Sequence, residues 1–179
     1  MAAREVVLWT GAGQIGMAIA RRVGYGKKIL VGDKSPANAE AICKVMAEAG
    51  FDCEWMEMDL SDRESIRRMI ARAQELGEVT TMINAAGVSP SQAPIEVILK
   101  VNLYGTAVLL EEVGKVIAPG GAGVTISSQS GKRMPQLTAE EDRALAELVM
   151  GPQGAFITGR DFLIDGGATA SYYYGPLQP

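Results

Sequence analysis

Near the start of the chain, a short apolar run leads directly into a glycine-rich turn, and this junction limits the possible folds more than any other feature. The run is Val6–Trp9, and the turn is the segment GAGQIG that begins at Gly11. A continuous apolar run is typical of a parallel strand that is buried on both faces. Followed by a helical pattern, such a turn suits a dinucleotide: Gly11 permits the tight turn, Gly13 lets the backbone approach a pyrophosphate, and Gly16 lets the helix pack closely on the strand. The alternative is a strand–helix turn that merely uses glycine.

Apolar runs and helical patterns alternate along the rest of the chain. Further strands are predicted at Ile29–Val31, Cys53–Met58, Val79–Ile83, Val124–Ile126 and Phe162–Ile164. Helices are predicted from a Ser35-Pro36 start to about Ala49, from a capping box at Ser61–Glu64 to Gly77, from Ile95 to Val116 with an interruption at Gly105, and from a second capping box at Thr138–Glu141. This alternation predicts an α/β fold: a doubly wound parallel sheet with helices on both faces. We expect one domain over residues 1–179.

Composition makes several classes of protein poor candidates. The net charge is −4, and pairs such as Lys27-Lys28 and Arg67-Arg68 are isolated, so nucleic acid is a poor partner. No apolar stretch approaches the length of a membrane span, and the first residues do not resemble a signal peptide. Cys43 and Cys53 lack the spacing of a metal site, and the chain has no histidine, so we expect no metal. Two thiols of this kind suit a reducing, cytoplasmic location.

Polar residues follow three of the predicted strands. Asp33 ends the second strand, where a carboxylate can accept hydrogen bonds from both ribose hydroxyls of NAD and repel the 2′-phosphate of NADP. The adjacent Lys34 complicates this preference, because a cation there can tolerate a phosphate. Asp59 and Asn84 end the third and fourth strands, which we expect to open on the same edge as the glycine turn. Each of these residues is also compatible with a simple turn, and Asp33 with a surface loop.

An ordered set of short motifs resembles the short-chain dehydrogenase/reductase family. The motifs are Thr10–Gly16, Asp59-Leu60, Asn84–Gly87, Val101-Asn102, Ile126–Ser128, Ile157–Gly159 and Asp165–Gly167. The resemblance covers residues 1–133 and about 152–170, although the glycine turn is one residue shorter than the family's commonest form. It implies a Rossmann-like fold and an NAD- or NADP-dependent oxidoreductase that interconverts small alcohols and ketones.

The same resemblance implies roles for individual residues. Asp59 would lie near the adenine, Asn102 would support a proton-relay water, and Ser128 would hydrogen-bond the substrate carbonyl, so that Ser128 and Asn102 are the catalytic candidates. The implied cofactor-binding residues are Gly11, Gly13, Gln14, Ile15, Gly16, Asp33, Asp59, Leu60, Asn84, Ala85, Ala86 and Gly87. The expected cofactor is NAD, with NADP less favoured.

The chain departs from the family where the proton donor is expected. No tyrosine lies between Tyr104 and Tyr172, and no lysine follows Lys132, so the family's Tyr-x-x-x-Lys motif is missing. In relatives the tyrosine is the general acid/base, and the lysine lowers its pKa and holds the nicotinamide ribose. We therefore expect a truncated fold, with one strand and its helices missing relative to the family, and impaired chemistry. Two alternatives remain open: a non-catalytic dinucleotide-binding protein, and a deletion product of a full-length enzyme.

The missing segment also bears on self-association. In the family the helix predicted at Ile95–Val116 packs against a partner helix that this chain lacks. Uncovered apolar surface and free strand edges favour association between copies. We therefore expect a homo-oligomer.

Overall fold

A computed structural model describes residues 3–128 and 138–140, and its regular elements alternate between strand and helix through the first of these ranges. In chain order they are β1 (Glu5–Thr10), α1 (Gln14–Val23), β2 (Lys28–Asp33), α2 (Pro36–Glu48), β3 (Asp52–Glu57), α3 (Arg63–Leu76), β4 (Glu78–Asn84), α4 (Ile95–Ile98), a π-helical segment (Leu99–Gly105), α5 (Thr106–Gly114) and β5 (Ala122–Thr125). All belong to the first of two compact units, Met1–Thr125 and Ile126–Pro179. The expectation of a single domain stays a prediction.

The five strands form one parallel sheet in the order β3-β2-β1-β4-β5. From β1 the chain adds strands on one side as far as β3, and then crosses back to place β4 on the other side of β1. Ligands of such sheets bind at the carboxyl ends of the strands, at the point where the order reverses. Here that point lies between β1 and β4, beside the glycine turn.

Helices cover both faces of the sheet, which confirms the predicted doubly wound α/β fold. Val7 and Trp9 of β1 belong to an apolar cluster that includes residues of α1 and α2. Val6 and Leu8, which alternate with them, belong to a second cluster that includes residues of α3 and α5. All four side chains are fully buried, as expected for a central parallel strand.

The long helix predicted at Ile95–Val116 is wrong in detail. The chain forms the single turn α4, then the π-helical segment Leu99–Gly105, and then α5, which ends at Gly114. The break therefore begins at Leu99 and not at Gly105. Glycine is required at position 105 for packing, because a side chain there would overlap the Leu60 carbonyl group. A π-helical turn changes the helical period only locally, so the spacing of apolar residues does not reveal it.

The capping residues were predicted with mixed success. Ser35 is the N-cap of α2, and its side chain accepts a hydrogen bond from the backbone N–H of Asn38. The N-cap of α3 is Asp62, not the predicted Ser61, because the Asp62 carboxylate accepts the backbone N–H of Glu64. Ser61 instead donates its hydroxyl to Asp59. The fifth strand also lies earlier than predicted, at Ala122–Thr125.

Several expectations fall wholly or mostly outside the described residues. These are the strand at Phe162–Ile164, the motifs at Ile157–Gly159 and Asp165–Gly167, and all but the first residues of the helix predicted from Thr138. Within residues 3–128 and 138–140, no helix has both the length and the hydropathy to cross a bilayer. In the same ranges no cluster of three or more His, Cys, Asp or Glu residues could hold a metal ion.

Candidate functional site

A cavity of about 400 Å³ opens at the carboxyl ends of the first four strands. Its lining residues are Gly11, Ala12, Gly13, Gly32, Asp33, Lys34, Asn38, Met58, Asp59, Leu60, Ala85, Ala86, Gly87, Val88, Gln92 and Val101. The structure thus brings together eight of the residues predicted from the sequence to bind a cofactor: Gly11, Gly13, Asp33, Asp59, Leu60, Ala85, Ala86 and Gly87.

The glycine turn is held against the neighbouring strand ends by its own backbone. Gly11 has a φ of 84°, in the left-handed region that favours glycine. Its N–H donates to the carbonyl of Gly32 over 2.8 Å. A Cβ at Gly11 would overlap the backbone of Ala85 and Ala86. The turn therefore requires glycine here for reasons internal to the protein.

Trp9 stabilises the glycine turn through a side-chain hydrogen bond, a role that the sequence did not predict. Its indole Nε1 donates to the carbonyl of Gly11 over 2.8 Å, and the side chain is fully buried. Gly16 leaves room for this ring, because a Cβ at Gly16 would overlap the indole. The available signal was the tryptophan itself, because a buried indole N–H usually finds a hydrogen-bond partner.

Gly13 differs from the other two glycines, because no described atom would contact a side chain there. A Cβ at Gly13 has open space for 4 Å, and its backbone is extended, with φ −107° and ψ 171°. Gly13 is the N-cap of α1, and no described side chain caps this helix. The N–H groups of a helix's first turn lack partners within the helix and favour an anion. The open space at Gly13 and the uncapped helix fit a phosphate group.

Gln14 and Ile15 lie in the first turn of α1 and are exposed, and neither lines the cavity. At the start of this helix it is the N-cap residue Gly13 that lines the cavity. Their expected role in cofactor binding stays a prediction.

Asp33 joins the glycine turn to the start of α2. Its Oδ2 accepts the N–H of Ala12, and its Oδ1 accepts the N–H of Ser35, each over 2.8 Å. A carboxylate oxygen has two lone pairs, so each oxygen can still accept a hydroxyl from a ligand in the cavity. The carboxylate therefore organises the backbone of the site and remains an acceptor for a sugar.

Asp59 forms the other acidic edge of the cavity. Its Oδ1 accepts both the N–H and the hydroxyl of Ser61, over 2.8 and 2.7 Å. Its Oδ2 pairs with the Lys34 ammonium over 2.9 Å. Burial raises the pKa of Asp59, but the hydrogen bonds from Lys34 and Ser61 outweigh it, and the pKa lies below its usual value. This carboxylate is therefore ionised at neutral pH.

Asn84 sits behind the cavity wall rather than in it. Its Oδ1 accepts the hydroxyl of Thr10 over 2.8 Å, and its Nδ2 donates to Thr106 Oγ1 over 3.2 Å. The side chain is buried and ties the end of β4 to β1 and α5. It holds in place the segment Ala85–Gly87, which does line the cavity.

The two catalytic candidates are placed differently. Asn102 lies in the π-helical segment, where its Oδ1 accepts the N–H of Val88 over 2.9 Å and its Nδ2 donates to the Val88 carbonyl over 2.8 Å. This pairing holds the loop after β4, and the neighbouring Val101 lines the cavity. Ser128 belongs to the second unit, Ile126–Pro179. Their catalytic roles stay predictions.

Some cavity residues had little or no sequence signal. Asn38 lies in the first turn of α2, and the only hint was its spacing from the Ser35 cap. Gln92 lies in the loop after β4, where its Oε1 accepts the N–H and hydroxyl of Ser89. Such a loop position depends on tertiary contacts that no local pattern reveals.

Comparison with known proteins decides the family. The profile of the family described as short chain dehydrogenase matches residues 5–139, most of the chain. The chain belongs to this short-chain dehydrogenase/reductase family. A short-chain dehydrogenase/reductase named bsc3 from Alternaria brassicicola is 42% identical over 126 residues, which are 70% of this chain and 46% of that protein. Carbonyl reductase [NADPH] 1 from Rattus norvegicus is 31% identical over 137 residues, covering 70% of this chain and 49% of the relative.

The short-chain dehydrogenase/reductase fold also appears among solved structures. A family member from Burkholderia phymatum in complex with NAD superposes with a TM-score of 0.66 at 19% identity, covering 82% of this chain and 57% of that one. The F189W actinorhodin polyketide ketoreductase with NADPH gives 0.63 at 26% identity, covering 80% and 59%. One neighbour holds NAD and the other NADPH, so the likeness does not choose between them. The chain spans about half the length of the curated relatives it matches.

Proposed function

We propose that this chain binds an adenine dinucleotide in the cavity at the carboxyl edge of its sheet. The observation that carries the proposal is Gly13, which leaves open space at an uncapped helix start and lies in the same cavity as Asp33. In this proposal the pyrophosphate lies against Gly13 and the first turn of α1, and Asp33 accepts the hydroxyls of the adenosine ribose. The adenine lies towards Asp59 and Leu60, which also line the cavity.

We propose NAD as the preferred dinucleotide. A 2′-phosphate would bring about two negative charges close to the Asp33 carboxylate, whose position is set by two backbone hydrogen bonds. Moving this carboxylate away would leave the N–H groups of Ala12 and Ser35 without their acceptor. Asp33 therefore cannot retreat from a phosphate without cost to the site.

The family's parent chemistry is hydride transfer between the nicotinamide and a small alcohol or ketone, and we propose that this chain performs it slowly. A nicotinamide dinucleotide supplies the hydride, but the developing alkoxide also needs a proton donor. A positioned acid or base contributes roughly 10²–10⁴-fold to such a reaction. The chain lacks the Tyr-x-x-x-Lys motif that provides this donor in relatives, and the hydroxyl of Ser128 is a poor acid.

The experiment is a calorimetric titration of the full chain with NAD and NADP, followed by an NADH oxidation assay with a panel of small ketones. We expect saturable NAD binding, weaker NADP binding and little turnover. No heat and no thermal shift with millimolar concentrations of either dinucleotide would contradict the binding proposal. Rates typical of an ordinary dehydrogenase would contradict only the proposal of slow turnover.

A second candidate function is a dinucleotide-binding protein with no catalytic activity, favoured by the same missing motif. It predicts no NADH oxidation with any ketone, where slow turnover predicts a small rate. Either function would operate in a homo-oligomer in the cytoplasm, as we propose from the sequence. Light scattering at micromolar concentration tests the association, and a mass of one chain would contradict it.

A further inference from the structure

The charges that line the cavity are unevenly distributed between acids and bases. Among its described lining residues, Asp33 and Asp59 are acidic, and Lys34 is the only basic one. Lys34 follows Asp33 directly, yet its ammonium pairs with Asp59, on the neighbouring strand end. Among the described residues that line the cavity, the one cation that could neutralise a phosphate near Asp33 is thus paired with Asp59.

The two partners of this ion pair differ in how firmly they are held. Asp59 is anchored through its Oδ1 by two hydrogen bonds from Ser61, and its side chain is 31% exposed. The Lys34 side chain is 72% exposed, and its only ion pair among the described residues is the one with Asp59. Asp59 is therefore the better-held partner, and its carboxylate sets the position of the exposed Lys34 ammonium.

We propose that Asp59 is a second determinant of the preference for NAD over NADP, acting as a positioning residue that holds Lys34 away from the 2′-position of the ribose. This inference rests on the proposed function. For Lys34 to meet a 2′-phosphate beside Asp33, it must first leave Asp59, and the anchored carboxylate cannot follow it. NADP therefore meets an uncompensated Asp33, although a lysine is the next residue in the chain.

The size of the effect follows from the exposure of the pair. An exposed ion pair contributes at most about 1 kcal/mol, which corresponds to about a five-fold change in affinity. The readout is the ratio of the dissociation constants for NADP and NAD, measured by calorimetry with the full chain. Any direct contact of Asp59 with the adenine is common to both dinucleotides and cancels in this ratio.

The central variant is Asp59→Asn, which keeps an oxygen for Ser61 and removes the charge that holds Lys34. We expect it to lower the NADP/NAD ratio by between about two-fold and about five-fold. Lys34→Met alone should change the ratio less than two-fold, because the ammonium is already engaged. The double variant should return the ratio to that of the wild type, because the freed cation is gone.

The controls separate this effect from general changes in charge. Glu48→Gln removes an exposed acid from the last turn of α2, outside the cavity lining, and should leave the ratio unchanged. Asp59→Ser also removes the carboxylate but leaves a hydroxyl in place of the amide, and it is used instead of Asp59→Asn if that variant does not fold. Thermal unfolding establishes that each variant is folded.

Three results would overturn the inference. The first is an unchanged ratio in Asp59→Asn. The second is an equal fall in Asp59→Asn and in the double variant, which would mean that the charge of Asp59 acts directly and not through Lys34. The third is a wild type that binds no dinucleotide, which would also end the proposed function. If the wild type binds NAD but Asp59→Asn leaves the NADP/NAD ratio unchanged, this inference is overturned and the proposed function is not.

Discussion

The two sides of the cavity are built on different principles. On the glycine side, Gly11 and Gly16 are required by close contact with other parts of the protein, with the backbone of Ala85 and Ala86 and with the Trp9 indole. On the acidic side, Asp33 and Asp59 are positioned by a few hydrogen bonds and are open to the cavity. We infer that changes on the first side disturb fold and binding together, while changes on the second alter ligand choice in a folded protein.

The largest effect is expected from Gly16→Ala, which tests the glycine side. The new methyl group would overlap Trp9, and overpacking of this kind costs about 1–3 kcal/mol of unfolding free energy. Displacing the indole would also disturb its hydrogen bond to Gly11, so NAD binding should weaken by at least about ten-fold, or 1.4 kcal/mol. Urea unfolding and NAD titration measure the two effects. Unchanged stability would refute the packing role of Gly16.

The next effect concerns Gly13, the one glycine of the turn with no neighbouring atom within 4 Å of a Cβ placed there. Gly13→Ala should weaken NAD binding by about ten-fold or more, because its methyl group would occupy the space proposed for the pyrophosphate. Its unfolding free energy should stay within about 1 kcal/mol of the wild type, since the methyl group meets nothing in the protein. Gly16→Ala is the matched comparison. Full NAD affinity in Gly13→Ala would place the phosphates elsewhere.

On the acidic side, Asp33→Asn should change ligand choice more than stability. The amide can accept only one of the two N–H groups that Asp33 accepts, at a cost of about 1 kcal/mol. With the charge removed, NADP should gain relative to NAD. Asp62→Asn, at a helix cap outside the cavity, is the control, because Asn caps as well as Asp. A dinucleotide preference that is the same in both variants would argue against Asp33 as a determinant.

The smallest effect concerns an ion network between α3 and α5, whose residues do not line the cavity. Hydrogen bonds from Arg63 and then Lys115 lower the pKa of Glu111 from 4.5 to about 2. Since the folded pKa lies below the unfolded one, the unfolded state takes up this proton first as the pH falls. The stability that Glu111 contributes is therefore full above pH 4.5 and is lost as the pH falls towards 2.

Glu111→Gln tests this network. The variant should be less stable than the wild type at neutral pH by about 1 kcal/mol, and this gap should narrow as the pH falls from 4.5 towards 2. Thermal unfolding at pH 7 and pH 3 measures it, and NAD affinity at pH 7 should not change. A gap as large at pH 3 as at pH 7 would mean that the loss comes from packing and not from the charge.

The sequence predicted the features that depend on local chemistry. The glycine turn, the strand that precedes it and the Ser35 cap each follow from residues within a few positions of one another, and the structure contains them. The parallel direction of the strands followed from their alternation with helices, whereas their order in the sheet was not predicted. Asp33 could be assigned to the cavity edge because it ends the strand after the glycine turn.

What the sequence did not predict depends on contacts between distant segments. The hydrogen bond from Trp9 to the turn requires the space left by Gly16, and the pairing of Lys34 with Asp59 joins two strand ends. Two further features are local: the π-helical segment alters the helical period over only a few residues, and the cap of α3 is Asp62 because Ser61 donates its hydroxyl to Asp59. Apart from the tryptophan itself, these features leave no periodic or compositional signal in the chain.

The most direct test of the central claim is hydrogen exchange of the full chain with and without saturating NAD. A dinucleotide in the proposed position predicts slower exchange in the glycine turn and the first turn of α1, and around Asp33 and Asp59, with no change in the network of Arg63 and Glu111. If NAD binds and the amides of residues 11–16 exchange as fast as before, the dinucleotide does not bind in this cavity and the account is wrong.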